Sequence, residues 1–483
     1  MNPSSTESIN LKFDSETPLD LVVRHARLAT AGDTVMCDIG IRDGRVMLLG
    51  SGIPRGLREI DANGRTVTPG GVDAHCHLDQ PMTPPIKLAD DFESGTRSAA
   101  CGGTTTVIPF AAQKKGQTLR AAVDEYHLRA SGHACIDYGF HLIVSDPTPT
   151  VLNEELPALI AEGYTSFKLY MTYEALKLDD GQILRVLAVA KKHGGMPMVH
   201  AENTECIAWL TANLTLAGFT APRYHAASRP MLVEREATHR AMSLSELVGV
   251  PILLVHVSGR EAVEQIRWGR GRGLKILSET CPQYLFLTAD DLGIDDNYQG
   301  AKCVCSPPPR DVASQEAIWD GLADGLFTLI SSDHSPFSFD DPSGKKPNGK
   351  EVSFPYIPNG IPGIETRLPL LYSEGVMAGR ITVNRFVELT STNPAKAYGL
   401  YPQKGTLAVG SDADIVIWDH RALTLNNAML HHAADYTPYE GRSLKAWPAY
   451  TLARGQIVWD GNRFLGTPGA GRFIPRGLPS IFP

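Results

Sequence analysis

The chain has 483 residues, of which 43% are hydrophobic and 20% are charged, and its formal net charge is −8. A chain of this length and composition is expected to form a soluble globular protein with one large domain and a smaller one. The acidic balance argues against a nucleic-acid partner or an anionic membrane surface, and no run of Lys and Arg contradicts this.

The sequence predicts a cytoplasmic location. Met1–Asp20 is polar and lacks the apolar core of a signal peptide. No stretch approaches the roughly 18 apolar residues that a membrane span requires. The eight cysteines are scattered, several of them inside apolar segments, which is typical of reduced thiols in the cytosol.

Both ends of the chain are predicted to be β structure. Near the N-terminus, Leu21–Thr30 and Asp38–Leu49 are short β-like runs, the second with an Asp43-Gly44 turn. Thr406–Asp419 and Tyr450–Trp459 are similar near the C-terminus. We therefore expect a small β-sandwich domain formed from both termini. The predicted boundaries are residues 1–65 and 401–465 for the two parts of the sandwich, 66–400 for the central domain and 466–483 for a C-terminal tail.

Between these ends, short apolar strands alternate with helical segments. The predicted strands are Thr66–Val72, Thr104–Pro109, Ile136–Val144, Ser166–Leu169, Met198–His200, Pro251–Val257, Lys275–Glu279 and Thr328–Ser331. The predicted helices are Asp91–Ala100, Leu119–Ala130, Leu156–Glu162, Gly181–His193, Arg235–Leu247, Ala262–Arg270 and Ser314–Ala323. Such alternation indicates parallel βαβ units, and eight units over about 270 residues match an α/β fold of the (β/α)8 TIM-barrel type.

Two segments are predicted to be irregular. Ser338–Lys350 is rich in Gly, Pro, Asp and Lys, and it follows the last predicted strand. Because loops at that end of a barrel usually cover the active site, we expect it to do so here. The Pro- and Gly-rich tail Phe464–Pro483 is expected to pack on a neighbouring subunit rather than to fold alone.

His75-Cys76-His77 is the most informative motif in the chain. It closes the first predicted strand of the barrel. Side chains two residues apart point to the same side of a strand, so the two imidazoles converge as metal ligands must. A lone His-x-His pair is a weak signal, and the alternative is two polar residues that end a strand.

Further potential ligands lie at or near the carboxyl ends of other predicted strands. They are Lys168, His200, His256 and Asp333. Catalytic groups cluster at this face of a TIM barrel. One histidine there would more often be structural, but four histidines, a lysine and an aspartate at strand ends are hard to obtain by chance.

Lys168 is the unusual member of this set. Its neighbours Phe167, Leu169 and Tyr170 make a charged amine costly to bury. One interpretation is a stem along apolar surface with the amine in water. We favour an N6-carboxylated lysine, because a neutral amine takes up CO2 and becomes an anionic bidentate ligand. Four histidines and one aspartate leave two metal ions without a bridging anion, and this group supplies one.

The chain resembles the hydantoinase/dihydropyrimidinase family of the amidohydrolase superfamily over nearly its whole length. The segments that carry the resemblance are Gly71-Val72-Asp73-Ala74-His75-Cys76-His77-Leu78-Asp79, Asp90-Asp91-Phe92, Gly102-Gly103-Thr104-Thr105, Ser166-Phe167-Lys168, Val199-His200-Ala201-Glu202-Asn203, His256-Val257-Ser258, Glu279-Thr280-Cys281-Pro282-Gln283-Tyr284-Leu285, Ser331-Ser332-Asp333-His334 and Asn359-Gly360-Ile361-Pro362-Gly363-Ile364-Glu365. Together these motifs are highly specific. The resemblance also implies a homotetramer or homodimer.

The resemblance implies a site for two divalent metal ions, with zinc as the expected metal. His75, His77 and Asp333 would hold one ion, and His200 and His256 would hold the other. The carboxylated lysine and a hydroxide would bridge them. Two cations lower the pKa of bound water and can polarise a carbonyl group.

The resemblance also implies roles in catalysis and substrate binding. Asp333 would take the proton of the hydroxide and pass it to the leaving nitrogen. Tyr173 matches the family tyrosine that donates to the oxyanion, although packing is the alternative reading of this residue. Ser306 and Asn359 match positions whose backbone groups hold the cyclic amide or imide.

The predicted function is metal-dependent hydrolysis of a cyclic ureide. Hydantoins or dihydropyrimidines would be opened at the amide bond to N-carbamoyl amino acids. One alternative is a cyclic-imide hydrolase of the same family. Another is a non-enzymatic scaffold, like the animal dihydropyrimidinase-like proteins that lack metal ligands, but here all six ligand positions are filled. Dihydroorotase and allantoinase are disfavoured because Asp79 stands where a dihydroorotase motif has arginine.

The chain departs from the family pattern near the expected pocket. Gln80-Pro81 replaces the frequent Met-Pro, and the segment after Lys168 reads Leu-Tyr-Met-Thr-Tyr. We expect Gln80–Pro85 and Tyr170–Lys177 to set the preference for the exocyclic substituent, without affecting the metal ligands.

Overall fold

The computed structural model describes residues 17–482, so that residues 1–16 and 483 lie outside the described part of the chain. The chain forms a nearly closed barrel of parallel strands and a β domain with strands from both ends of the sequence. This confirms the predicted fold class. The domain boundaries remain predictions. The predicted segment 1–65 begins outside the described residues, and the predicted tail 466–483 ends outside them. Most of the polar N-terminal stretch also lies outside the described residues.

Five strands of the β domain precede the barrel. They are β1 (Leu19–Ala29), β2 (Thr34–Arg42), β3 (Arg45–Gly50), β4 (Gly56–Asp61) and β5 (Thr66–Pro69). Strand β1 pairs antiparallel with β2 on one side, and on the other side it pairs parallel with β4 and then with β5. The predicted turn joins β2 to β3, with Asp43 at φ 52° and Gly44 at φ 75°, as a two-residue hairpin requires.

The barrel contains eight strand positions, one of which is split into two short strands. The strands are β6 (Gly71–Cys76), β7 (Thr104–Ala112), β8 (Asp137–Tyr138) with β9 (His141–Ile143), β10 (Ser166–Tyr170), β11 (Met196–His200), β12 (Ile252–Leu254), β13 (Ile276–Thr280) and β14 (Leu329–Ile330). All neighbouring pairs are parallel. Backbone bonds from Asp333 N to His75 O (2.9 Å) and from His77 N to His334 O (2.7 Å) join the last position to the first.

Helices cover the outside of the barrel and its upper rim. They are α1 (Phe92–Cys101), α2 (Leu119–Ala130), α3 (Leu156–Ala161), α4 (Asp180–His193), α5 (Thr204–Leu216), α6 (Tyr224–Ala227), α7 (Met231–Val248), α8 (Arg260–Gly271), α9 (Gln283–Phe286), α10 (Val312–Ala323), α11 (Arg367–Leu371), α12 (Val383–Val387) and α13 (Asn393–Ala397). Asp91, Asp179 and Asn203 each cap a helix by accepting a backbone N–H. Among residues 17–482, none of the helices has the length and apolar character that a membrane span requires.

The chain returns to the β domain after the barrel. The remaining strands are β15 (Ile415–Asp419), β16 (Leu423–Thr424), β17 (Ser443–Leu444), β18 (Trp447–Ala453) and β19 (Gln456–Trp459). The large sheet has the order β19-β18-β15-β5-β1-β2-β3, so N- and C-terminal strands meet between β15 and β5. Its apolar core includes Leu21, Ile39, Ile415 and Leu452.

The first predicted strand, Thr66–Val72, is wrong as a single element. Its first half is β5 of the β domain, and its continuation is β6 of the barrel. The chain crosses between the two sheets at Gly70, whose N–H donates to Asp414 O at 2.8 Å. A Cβ atom at Gly70 would lie 2.2 Å from Thr105 Oγ1, so the crossing has no room for a side chain. The apolar run is continuous, and the pattern therefore does not reveal the break.

The expectation that the tail packs on a neighbouring subunit remains a prediction. The described part of the tail also packs on the chain's own barrel. Tyr138 N donates to Arg472 O at 3.0 Å, and Ile474 N donates to Tyr138 O at 2.8 Å. The tail thus pairs with β8, where the predicted strand Ile136–Val144 is interrupted. The sequence analysis also did not predict α5, α6, α9 or α11 to α13.

Candidate active site

The predicted ligands meet at the carboxyl end of the barrel. Strand alternation explains how Lys168 reaches the site, because Phe167 and Leu169 pack outward against the helix layer while Tyr170 belongs to the interior cluster of the barrel. His200 is the last residue of β11, and Asp333 follows β14. The parallel arrangement brings these strand ends to one face.

His75, His77 and Asp333 form a group of potential metal ligands, with one candidate ligand atom from each within 4.8 Å of the others. Asp333 Oδ1 lies 3.2 Å from His75 Nε2 and 3.4 Å from His77 Nε2. Lys168 Nζ lies 2.7 Å from His75 Nε2. A carboxylate and two imidazoles at these separations can hold a divalent ion.

His200 and His256 form the other side of the group. Their ring centroids are 4.4 Å apart, and the His256 ring lies 5.4 Å from that of His75. Among residues 17–482, neither ring nitrogen of the buried His256 has a hydrogen-bond partner. Because a buried polar atom is normally satisfied, this orphan ring fits a site completed by a metal ion.

The histidine tautomers are set by a surrounding layer of acceptors. His75 Nδ1 donates to Glu279 Oε1 at 2.7 Å, and His77 Nδ1 donates to the Gln80 amide oxygen at 2.7 Å. The Nε2 lone pair of each ring is then left facing the site. The motif sequences contain Glu279, but its role was not predicted. Its position at the end of a predicted strand was the available signal.

A further acceptor, Glu202, serves both His200 and an arginine. His200 Nε2 donates to Glu202 Oε2 at 2.7 Å, and Arg229 Nη1 donates to the same oxygen at 3.1 Å. The Arg229 guanidinium also lies 5.8 Å from the centre of the Tyr173 ring. Glu202 follows His200 by two residues, which is a usable signal, whereas no pattern in the sequence points to Arg229.

The protonation states suit metal binding. Burial lowers the pKa of the His77, His200 and His256 rings, which favours the neutral form that binds metals. Burial also lowers the pKa of Lys168 to about 8, against the opposing charges of Asp333 and Glu279. A free amine is thus accessible near neutral pH, and the lysine fits carboxylation.

Asp333 is a carboxylate under these conditions. Burial opposes its ionisation, but the interactions of its carboxylate with His75 and His77 lower the pKa of Asp333 to about 2. Its backbone is held at φ 48°, and Tyr173 and His256 likewise have positive φ, of 67° and 39°. Such strained conformations cluster at functional sites, where the surrounding fold holds side chains in fixed directions.

A cavity of about 320 Å³ opens above the ligands. Of the nine predicted site residues, His75 lies beneath the cavity and the other eight line it: His77, Lys168, Tyr173, His200, His256, Ser306, Asp333 and Asn359. Asn359 Nδ2 donates to the Tyr173 hydroxyl and to Ser306 Oγ, at 3.3 Å each. The cavity therefore has a metal-binding floor and a polar wall.

The pocket wall also contains residues predicted to set substrate preference. Gln80, Met82, Tyr170 and Leu176 line the cavity. The expectation that Ser338–Lys350 covers the site is wrong for the described structure, since the lining residues in this region come from Ser335 and Phe337 before the segment and from residues 357–360 after it.

The comparisons with known proteins agree with this geometry. A model described as "Amidohydrolase family" matches residues 66–215 and 292–458. The D-hydantoinase of Rhizobium radiobacter is 44% identical over 460 residues, which are 95% of this chain and 99% of the relative. The D-hydantoinase of Geobacillus stearothermophilus is 45% identical over 459 residues, which are 94% and 96% of the two chains.

Solved structures give the same result for the fold. The crystal structure of dihydropyrimidinase from Brevibacillus agri matches with a TM-score of 0.91 and 42% sequence identity, and the match covers 95% of this chain and 98% of that one. These matches extend over nearly complete chains, so they include both the barrel and the β domain. The chain therefore belongs to the amidohydrolase family, within its hydantoinase/dihydropyrimidinase branch.

Proposed function

We propose that the protein opens the ring of hydantoins or dihydropyrimidines at the amide bond and releases N-carbamoyl amino acids. The observation that carries this proposal is the convergence of four histidines, a buried lysine and an aspartate on the floor of one cavity. The hydantoinases and the dihydropyrimidinase that resemble this chain support the choice of substrate.

The amidohydrolase family is metal-dependent, and the proposed cofactor is a pair of divalent ions, with zinc as the expected metal. His75, His77 and Asp333 would hold one ion, and His200 and His256 would hold the other. N6-carboxylated Lys168 would bridge them. Such ions supply Lewis acidity and an activated water at neutral pH.

The remaining steps belong to the chain's own residues. The Asp333 carboxylate accepts a proton from the attacking water and later delivers it to the nitrogen that leaves when the ring opens. The Tyr173 hydroxyl, at the edge of the cavity, donates to the oxygen on which negative charge develops. Backbone groups at Ser306 and Asn359 hold the polar edge of the ring. Burial of the site strengthens each of these interactions.

The test is a comparison of kcat/KM across rings of different size and substitution. The panel contains dihydrouracil, hydantoin, 5-substituted hydantoins, succinimide, allantoin and dihydroorotate. We expect hydantoins or dihydrouracil to rank first, with an N-carbamoyl acid as product. A preference for succinimide would replace the proposal with a cyclic-imide hydrolase, and no hydrolysis of any ring by protein with bound metal would refute it.

We further propose that the chain assembles as a homotetramer or homodimer in the cytoplasm. On α5, Trp209 and Leu216 are 68% and 88% exposed, and nearby Tyr356 is 72% exposed. Leu216 and Tyr356 line one shallow cavity, which gives a partner subunit an apolar surface to cover. Light scattering of the full chain tests the assembly, and a monomer at micromolar concentration would contradict it.

The cytoplasmic location is supported by the eight cysteines, all of them unpaired.

A further inference from the structure

Lys345 is a fully buried lysine that lies outside the set of proposed ligands. Its Nζ atom donates to Val304 O at 2.8 Å and to Pro358 O at 2.6 Å. Its own carbonyl accepts a hydrogen bond from the Tyr298 hydroxyl at 2.6 Å. Because a buried amine loses its hydration, a lysine at such a position is retained where its hydrogen bonds fix neighbouring groups.

The two carbonyl acceptors belong to the segments that form the polar wall of the pocket. Val304 precedes Ser306 by two residues, and Pro358 directly precedes Asn359. The same segments touch each other, because Gly360 N donates to Val304 O at 3.0 Å. Val304 O thus accepts both from the lysine and from the opposite segment, so the lysine lies at the junction of the two.

Lys345 can serve this junction in either protonation state. Burial lowers the pKa of its amine to about 7, so the ammonium form and the neutral amine are both populated near neutral pH. The nearby Cys303 thiol is kept protonated because burial raises its pKa to about 12. An amine keeps two N–H donors even when it is neutral, so Lys345 can donate to both carbonyls in either form.

We infer that Lys345 is a positioning residue, whose amine fixes the spacing between the Ser306 and Asn359 segments and thereby sets how tightly the pocket binds the cyclic substrate. The Ser338–Lys350 segment, which contains Lys345, therefore supports the pocket wall and does not cover the site. The inference rests on the proposed function, which assigns the ring-binding backbone groups to those segments. Because the lysine touches neither the ring nor the floor, its loss should weaken binding more than chemistry.

The test compares Lys345→Met with Lys346→Met in the full-length, metal-loaded protein. Methionine keeps the approximate length of the lysine stem but removes the donors. Lys346 is the matched control, because its amine pairs with Asp340 at 2.7 Å and not with the pocket segments. The measurements are KM and kcat for hydantoin, metal content, and hydrogen–deuterium exchange at the Gly360 amide.

For Lys345→Met we expect KM to rise by about 10-fold or more, a smaller change in kcat, unchanged metal content and faster exchange at Gly360. Lys346→Met should match the unmodified protein in all four. Unchanged KM and unchanged exchange in Lys345→Met would overturn the inference while leaving the proposed function intact. If the unmodified protein opens no ring, the proposed function fails, and the Gly360 exchange alone decides whether Lys345 holds the segments.

A milder variant covers the case in which Lys345→Met does not fold. Tyr298→Phe removes the hydroxyl that holds the Lys345 carbonyl and leaves the amine in place. We expect a smaller rise in KM and a smaller increase in Gly360 exchange, at unchanged metal content. Values equal to those of the unmodified protein would again overturn the inference.

Discussion

A lysine amine reacts with carbon dioxide as the free base, and the interior position of Lys168 favours that form. Its side chain is 1% exposed, and Nζ lies 2.7 Å from His75 Nε2 and 4.6 Å from the centre of the Phe110 ring. An apolar and aromatic environment penalises the ammonium ion, whereas a carbamate between two cations is well compensated. The residue that looked costly in the sequence is thus explained by the chemistry that it is proposed to perform.

Lys168→Ala should lose both metal and activity, because the bridging anion between two cations is removed. We expect less than two metal ions per chain and a loss of kcat by orders of magnitude, with partial recovery when short carboxylic acids are added. Lys192→Ala, which changes an exposed lysine on α4, is the control. Metal analysis and hydantoin hydrolysis decide the matter. Full activity at unchanged metal content in Lys168→Ala would exclude the carbamate.

Asp333→Asn should separate proton transfer from folding. The amide preserves the size of the side chain and one oxygen ligand but cannot accept the proton as a carboxylate does. We expect a native circular dichroism spectrum, most of the metal, and a fall in kcat of about 10²–10⁴-fold. A mild change in kcat would move the proton-transfer role to another residue.

Gln80 is assigned by the sequence to substrate preference alone, and the structure adds a second role. Its amide oxygen accepts from His77 Nδ1 at 2.7 Å while its side chain lines the cavity. Gln80→Met should therefore weaken metal binding by about 10- to 100-fold, the usual effect of losing an acceptor behind a ligand. Gln80→Glu keeps an acceptor of the same length and should retain the metal. Competition with a chelator measures both, and equal metal affinity in all three proteins would show that Gln80 acts on the substrate alone.

At the scale of elements, the strand ends could be predicted and their surroundings could not. His75, His77, His200 and Asp333 follow from the two-residue period and from the rule that barrel strands end at the active face. Arg229 lies between α6 and α7, outside any periodic element, so its contact with Glu202 arises from tertiary packing alone.

The same limit applies to the C-terminal tail, which lacks any periodic pattern and is fixed by single contacts. Arg476 is buried at the amino end of the barrel, where its guanidinium donates to Ser166 Oγ at 2.7 Å and to Phe140 O. Composition alone does not predict these contacts, which attach the tail to the amino end of its own barrel.

Arg476→Met should therefore destabilise the protein without impairing catalysis. The substitution leaves the Phe140 carbonyl and the Ser166 hydroxyl without their buried donor, which should lower the free energy of unfolding by about 1–3 kcal/mol. The site lies at the other end of the strands, so kcat/KM should stay unchanged. Thermal unfolding tests this, with Arg472→Met, a change of an exposed arginine, as control. An unchanged Tm would mean that the tail contributes no stability.

At the scale of the whole molecule, length and alternation predict the architecture, because eight βαβ units leave few other ways to bury their strands. The connection between barrel and β domain is not visible in the sequence. One contact between the two parts is made by Lys404. Its buried amine lies 2.6 Å from Asp137 Oδ2 of β8 and 2.8 Å from Asp414 Oδ2, next to β15. Residues far apart in the chain meet there, and no local pattern marks them.

The most direct test of the account is a metal titration of the whole enzyme. The protein is freed of metal with a chelator, zinc is added stepwise, and the opening of hydantoin to N-carbamoylglycine is followed at each step. The account predicts no hydrolysis without metal and a rate that reaches its plateau at two zinc ions per chain. Hydrolysis by the metal-free protein, or no product with two ions bound, would contradict it.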